Sequence, residues 1–163
     1  MQETFSTPRL FLKRLSEDES EFFLELVNTK EWIQFIGDRG IKTKEDSIQF
    51  IRGILKKPMT NYWVVKLPEG NSIGIITFMK RDYLDYYDIG FAFLPQYGKQ
   101  GYAYEGTHEV LNWVVANTFH RTILAIVLKG NERSIRLLEK LNFEFEEELQ
   151  ITNEALLQFC YHG

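Results

Sequence analysis

Along the first third of the chain the apolar residues fall at helical spacing, and from Tyr62 onward they run in short β-branched and aromatic blocks. Arg9 to Leu15 alternates imperfectly and reads as an opening strand. Ser16-Glu17-Asp18-Glu19 has the form of a capping box for a helix carrying Phe22, Phe23, Leu26 and Val27. A short second helix holds Trp32, Ile33, Phe35 and Ile36 and stops at Gly37. Thr43 caps a third, with Ile48, Ile51 and Leu55 on one face. The pattern then changes. Tyr62–Leu67 and Ile73–Phe78 are strands joined by the Pro68-Glu69-Gly70-Asn71 turn, which makes a hairpin. A strand from about Tyr87 to Leu94 ends at Pro95. The turn Gly98-Lys99-Gln100-Gly101-Tyr102-Ala103 leads into a helix with Val110, Leu111, Val114 and Val115. Thr122–Leu128 is a strand, Asn131 caps a helix running through Leu141, and two strands follow near Phe143–Ile151 and Ala155–Tyr161. This order predicts a mixed α/β (α+β) sheet with a largely antiparallel first half.

Composition adds limits. The 163 residues carry no linker or repeat, so one domain over 1–163 is expected. A net charge of −4 lacks the basic surplus of a nucleic-acid binder. The single cysteine, Cys160, excludes an intramolecular disulfide and reads as a small core residue. His108, His120 and His162 are scattered, no Cys/His cluster has zinc spacing, and no metal site is expected. No apolar run approaches the ~20 residues that span a bilayer, and the polar start from Met1 to Pro8 has no apolar signal core. A reducing, cytoplasmic setting without membrane contact is the expectation.

The chemistry concentrates between Asp88 and Gly106. A strand feeds a glycine-containing turn and a helix starts at once, so successive backbone N–H groups can converge on one anion, such as a diphosphate. Gly101 lets the backbone approach such a group closely. The turn has neither the Gly-Lys-Ser/Thr of a Walker loop nor a G-x-G-x-x-G fingerprint, which sets both nucleotide readings aside.

Five segments, in order, carry a resemblance: Thr7-Pro8-Arg9-Leu10-Phe11-Leu12-Lys13-Arg14-Leu15, Ile73-Gly74, Asp88-Ile89-Gly90-Phe91, Gly98 to Ala103 with Glu105-Gly106, and Asn131-Glu132-Arg133-Ser134 with Lys140-Leu141-Asn142-Phe143. Together they resemble the GNAT superfamily of N-acetyltransferases, in its RimJ/RimL-like branch, over nearly the whole chain. The resemblance implies a central mixed, mostly antiparallel, splayed sheet flanked by helices. It also implies acetyl-CoA as co-substrate and an amine acceptor, either a small molecule or a protein N-terminus. By the same resemblance the backbone of Phe91, Ala92 and Phe93 lies along the pantetheine arm. Gly98, Lys99, Gln100, Gly101, Tyr102, Ala103 and Tyr104 surround the pyrophosphate, and Asn131 and Ser134 stand near the thiol. The edges of such a sheet would permit a homodimer.

Three positions depart from the family pattern. Gly98 stands where Gln, Arg or a bulky aromatic is usual. Asn142 replaces a glycine and tolerates the left-handed conformation. Leu138 occupies the place of a tyrosine that protonates the leaving thiolate, so Ser134, water or direct release must serve. An amine attacks only as the free base, which a peptide α-amine with a pKa of about 7.7–8.0 partly is at neutral pH. Asp88 is the first candidate base, its alternative being a strand-edge surface pair. Asp82 and Asp85 stand in reserve. No nucleophile triad is visible, so direct transfer in a ternary complex is expected. Trp32, Phe35, Tyr83 and Tyr86 are candidates for the acceptor pocket, with core packing the first reading for Trp32 and Phe35. Two other readings stay open at this point. One is a non-catalytic acyl-CoA-binding module, motivated by Leu138 and Gly98. The other is an unrelated α/β interaction module whose glycine turn is structural.

Overall fold

The computed structural model describes residues 1–151 and 154–163; neither of the last two predicted strands falls on the remaining pair. Eight strands form one sheet: β1 (Thr4–Ser6), β2 (Phe11–Arg14), β3 (Thr60–Lys66), β4 (Ser72–Lys80), β5 (Tyr87–Phe93), β6 (Thr122–Leu128), β7 (Glu144–Leu149) and β8 (Leu156–His162). The spatial order is β1-β2-β3-β4-β5-β6-β8-β7. Every neighbouring pair is antiparallel except β5 and β6. The helices are α1 (Ser20–Val27), α2 (Lys30–Phe35), α3 (Lys44–Leu55), α4 (Tyr102–Asn117) and α5 (Glu132–Lys140).

Each face of the sheet buries its own core. On one face α4 and α5 press Val110, Leu111, Val114, Leu138 and Leu141 onto Leu12, Trp63, Ile76, Phe78, Ile89 and Ile123. On the other, α1 to α3 cover Val64 and Ile75 with Phe23, Leu26, Trp32, Ile51 and Ile54. A strand sends successive side chains to opposite faces, so a chain with helices on both sides needs the near-continuous apolar runs of β3, β4 and β6.

The helix starts show where local sequence rules prevail and where they yield. Thr43 forms a true capping box with Asp46. Gly37 ends the α2 segment with φ 109° and its N–H on the Trp32 carbonyl. The Ser16–Glu19 box does not form. Ser16 makes no capping hydrogen bond, and Glu19 is buried instead, taking Lys13 at 2.9 Å, Lys66 at 2.8 Å and the Ser72 hydroxyl at 2.6 Å. Two lysines and a hydroxyl on adjacent strands offer this carboxylate far more than one backbone N–H. The predicted face of α3 is also shifted: Ser47, Ile51 and Ile54 are buried and Leu55 is exposed, because the helix packs on α1, where the Ser47 hydroxyl donates to the Ser20 carbonyl at 2.8 Å. The opening strand is shorter than expected, and β1, paired to it, had no recognisable pattern in three residues.

Candidate active site

The parallel pair β5/β6 organises the site. Its two strands meet at Asp88 and Leu124 alone among the described residues. Beyond that point β5 runs on to Phe93 and β6 to Leu128 without pairing to each other. The Leu94 N–H donates to the Ile73 carbonyl of the β4 side at 2.9 Å. Backbone groups of alternate residues aim at opposite neighbours, so those of Gly90 and Ala92 also aim at β4. Those of Ile89, Phe91 and Phe93 aim at β6, and at Phe91 and Phe93 β6 is no longer there to receive them. The result is a wedge lined on one side by unpaired main-chain donors and acceptors. Both phenylalanine side chains pack on the α4–α5 core, while Ala92 faces the other way. Phe93 lies across Gly74, where any Cβ would collide with its ring. That contact explains a glycine in the middle of β4.

The Gly98–Tyr104 turn follows a single 3-10 turn over Pro95–Tyr97. Lys99 (φ 62°) and Gly101 (φ 83°) are both left-handed, with Gly101 as N-cap of α4. Left-handed residues amid right-handed ones turn successive N–H groups to one side. Gly101 has no capping side chain, so the first N–H groups of α4 lack that partner. The turn is gripped from outside by Arg9. Its Nη1 donates to the Gln100 carbonyl at 2.9 Å, its guanidinium lies 4.6 Å from the Tyr102 ring centre, and Glu105 takes its Nε at 2.7 Å and Nη2 at 2.6 Å. Glu105 also accepts from the Thr7 hydroxyl at 2.6 Å. Tyr104 stacks on His108 and sits under Lys140, along a depression of about 370 Å³ that Arg9 and Gly101 also line. Ala103 follows in the first turn of α4.

Asp88 is not the surface pair considered above. It is 1% exposed, at the apex of the wedge, and accepts from Arg81 Nε at 2.9 Å. Burial pushes its carboxyl above the usual range, and the Arg81 guanidinium pulls it back only in part. Tyr62 shares this face; burial raises its phenol, against the pull of Arg81 and Arg39. Asp82 and Asp85 lie outside β5, on the loop that carries Arg81.

At the start of α5 the Asn131 carboxamide oxygen accepts from the Ser134 N–H at 3.3 Å. Asn131 therefore has both amide N–H groups and the second lone pair of its oxygen left for a ligand. Ser134 is half-buried in the first turn. Leu138 is 2% exposed in the main core, so no acid can act from that position. Asn142 does take the left-handed conformation, φ 64°. Trp32 is buried, Phe35 is half-buried, and Tyr83 and Tyr86 are exposed along a second cleft with Asp85, Glu146 and Glu147. Cys160 is buried between Leu84 and Leu124; burial first, then Glu146 and Glu144, push its thiol up, which suits a core residue. Among the described residues no group of acids, histidines or cysteines could hold a metal ion, and no helix is long and apolar enough to cross a membrane. The sequence motifs contain Arg9 and Arg133 but give neither a role, and Arg81 lies in none of them. Arg9 and Glu105 sit in two of the quoted motifs, 96 residues apart, and nothing local joins them.

Sheet, wedge and turn define a transferase scaffold of mixed α/β architecture. Residues 9–144 match the acetyltransferase (GNAT) domain, and the chain belongs to that family as an N-acetyltransferase. It is 25% identical over 141 residues to the uncharacterized N-acetyltransferase YnaD of Bacillus subtilis (strain 168), covering 86% of this chain and 82% of that one. Its fold matches RimL, a ribosomal L7/L12 α-N-protein acetyltransferase solved with coenzyme A. The TM-score there is 0.86, with 13% identity and 98% of each chain covered. It also matches the spermidine N-acetyltransferase of Vibrio cholerae solved with CoA and spermine, with a TM-score of 0.81, 15% identity and 96% of each chain covered.

Proposed function

We propose that this chain transfers the acetyl group of acetyl-CoA to a primary amine, a protein N-terminal α-amine or a small-molecule amine, by direct attack in a ternary complex. The observation that carries this reading is the wedge: β5 and β6 pair at one position, and the backbone of Phe91 and Phe93 faces the opening. An extended amide chain such as the pantetheine arm satisfies such groups as an added strand would. The left-handed pair Lys99 and Gly101, with the start of α4, suits the diphosphate.

Acetyl-CoA supplies an activated carbonyl; this chain's residues orient it and manage protons. The N–H of Phe91 or Phe93 donates to the thioester oxygen as charge develops there. Asp88 takes the proton from the ammonium of the acceptor, directly or through one water. Its raised pKa makes it a stronger base than an ordinary aspartate. Ser134 stands nearest the role of donor to the leaving thiolate, since Leu138 has no proton to give.

The test is thermal melting with acetyl-CoA, CoA and ATP, followed by thiol release with a panel containing an N-terminal peptide and a polyamine. Either CoA species at a hundred times its dissociation constant adds roughly 2.7 kcal/mol of stability, and ATP adds none. No shift with either CoA species overturns the acetyl-CoA reading.

A further inference from the structure

We infer that Arg133 provides the CoA diphosphate with the cationic side chain that position 98 of the phosphate-binding turn lacks, and that Gly98 is a glycine to make room for it. This rests on the acetyl-CoA reading above.

Gly98 has φ −68° and ψ 158°, an extended conformation open to any residue. Backbone freedom therefore does not explain the glycine. What a side chain would meet is the end of Arg133: a Cβ there would displace Nη2 of its guanidinium from the turn and come within 3.1 Å of the Pro95 carbonyl oxygen. The guanidinium of a residue 35 positions later lies against the Cα of the turn, where a side chain of residue 98 would begin.

Arg133 is poorly placed for stability alone. It stands in the first turn of α5, where the helix dipole is positive and a cation is unfavourable. It is exposed and has no ion pair among the described residues, as is also true of Lys99 in the turn and Lys140 at the end of α5, whereas three other basic groups do. Arg9 is held by Glu105, Arg136 by Glu132 and Lys129 by Glu148. Glu132, the acid beside Arg133 in sequence, is thus already engaged. An unpaired guanidinium lying on a turn of converging N–H groups is suited to a diphosphate, which it can meet with two parallel N–H groups. Arg133 also sits between Asn131 and Ser134, so one short segment would reach both ends of the CoA arm.

Calorimetric titration of CoA into the wild type, Arg133→Ala, Gly98→Ala and the double variant tests this. Arg133→Ala weakens CoA about ten-fold, the usual worth of one charge-assisted contact. Gly98→Ala weakens it comparably although the charge remains, and the double variant is no worse than either single one. Gly98→Arg combined with Arg133→Ala recovers much of the affinity. The loss persists with 3′-dephospho-CoA and vanishes with pantetheine, which has no diphosphate. Wild-type binding with Arg133→Ala within two-fold of it overturns the proposal alone, as does a loss that disappears with 3′-dephospho-CoA. A wild type that does not bind CoA overturns the acetyl-CoA reading and this proposal together.

Discussion

Two carboxylates show how environment decides a residue's task. Asp88 and Glu19 are both buried and both meet cations, yet burial prevails at Asp88 and the partners prevail at Glu19. Asp88 has one guanidinium, Arg81, itself partly in solvent. Glu19 has Lys66, Ser72 and Lys13. A base needs the first arrangement and a structural tie the second. Asp88→Asn is expected to lower kcat about a hundred-fold at saturating acceptor and to remove the acid limb of the pH–rate profile. That limb should lie above the ordinary aspartate range. A variant that melts earlier but keeps the wild-type pH profile would reduce Asp88 to a support for Arg81. Glu19→Ala leaves Lys66, half-buried, without its partner. It should cost about 3 kcal/mol, the low end for a broken buried pair, because Lys13 and Lys66 both stay partly exposed. Urea unfolding reads this directly, and CoA affinity should not change.

At the scale of elements, the wedge depends on β5 being held firmly on one side so that it can be open on the other. Its register with β4 runs unbroken from Lys80/Tyr87 to Gly74/Phe93. Gly74 and Phe93 close this pairing, ring over glycine. Gly74→Ala forces the ring to move from its base, not its tip. It should cost about 1–3 kcal/mol, as overpacking does, and weaken CoA binding by disturbing the Phe93 backbone. In the Phe93→Ala background the same substitution should cost much less, and a double-mutant cycle by urea unfolding measures the difference. Equal costs in both backgrounds would mean that the ring does not hold the strand. Much of this level was readable beforehand. The hairpin, the Thr122–Leu128 strand and the Asn131 and Thr43 caps follow from local patterns and stand in the structure. Strand β1 and the true face of α3 did not, since a three-residue strand has no period and the α3 face was chosen by α1.

For the whole molecule, these carboxylates set how stability responds to acid. Burial raises the Glu105 carboxyl, but Thr7 and Arg9 outweigh it and leave it low, as the partners of Glu19 do there. A group whose folded pKa is depressed contributes stability above its usual value, near 4.5, and loses it as pH falls through the folded value. Asp88 has the opposite sign. Its cost appears as pH rises from about 3.8 through its raised folded value. Urea midpoints between neutral and acid pH should therefore fall on acidification below the usual glutamate range. Glu105→Gln should flatten that fall. Asp88→Asn should steepen it by removing the counter-trend. A Glu105→Gln profile parallel to the wild type would show that Thr7 and Arg9 do not hold the Glu105 carboxyl below its usual value.

The sequence by itself determined the class of fold, the order of the elements after β1, and the family. Those depend on short-range features: apolar period, caps, turn glycines and motif spacing, each confined to a few residues. Only the tertiary structure decided that β5 and β6 part after Asp88, that Asp88 is buried against Arg81, and that Arg133 occupies the space above Gly98. The parting of the strands and the place of Arg133 depend on segments far apart in the chain meeting; Arg81 is only seven residues from Asp88, and what the rest of the fold adds there is the burial of the carboxylate. A local pattern encodes neither the neighbour that desolvates a carboxylate nor the side chain that fills the gap left by a glycine.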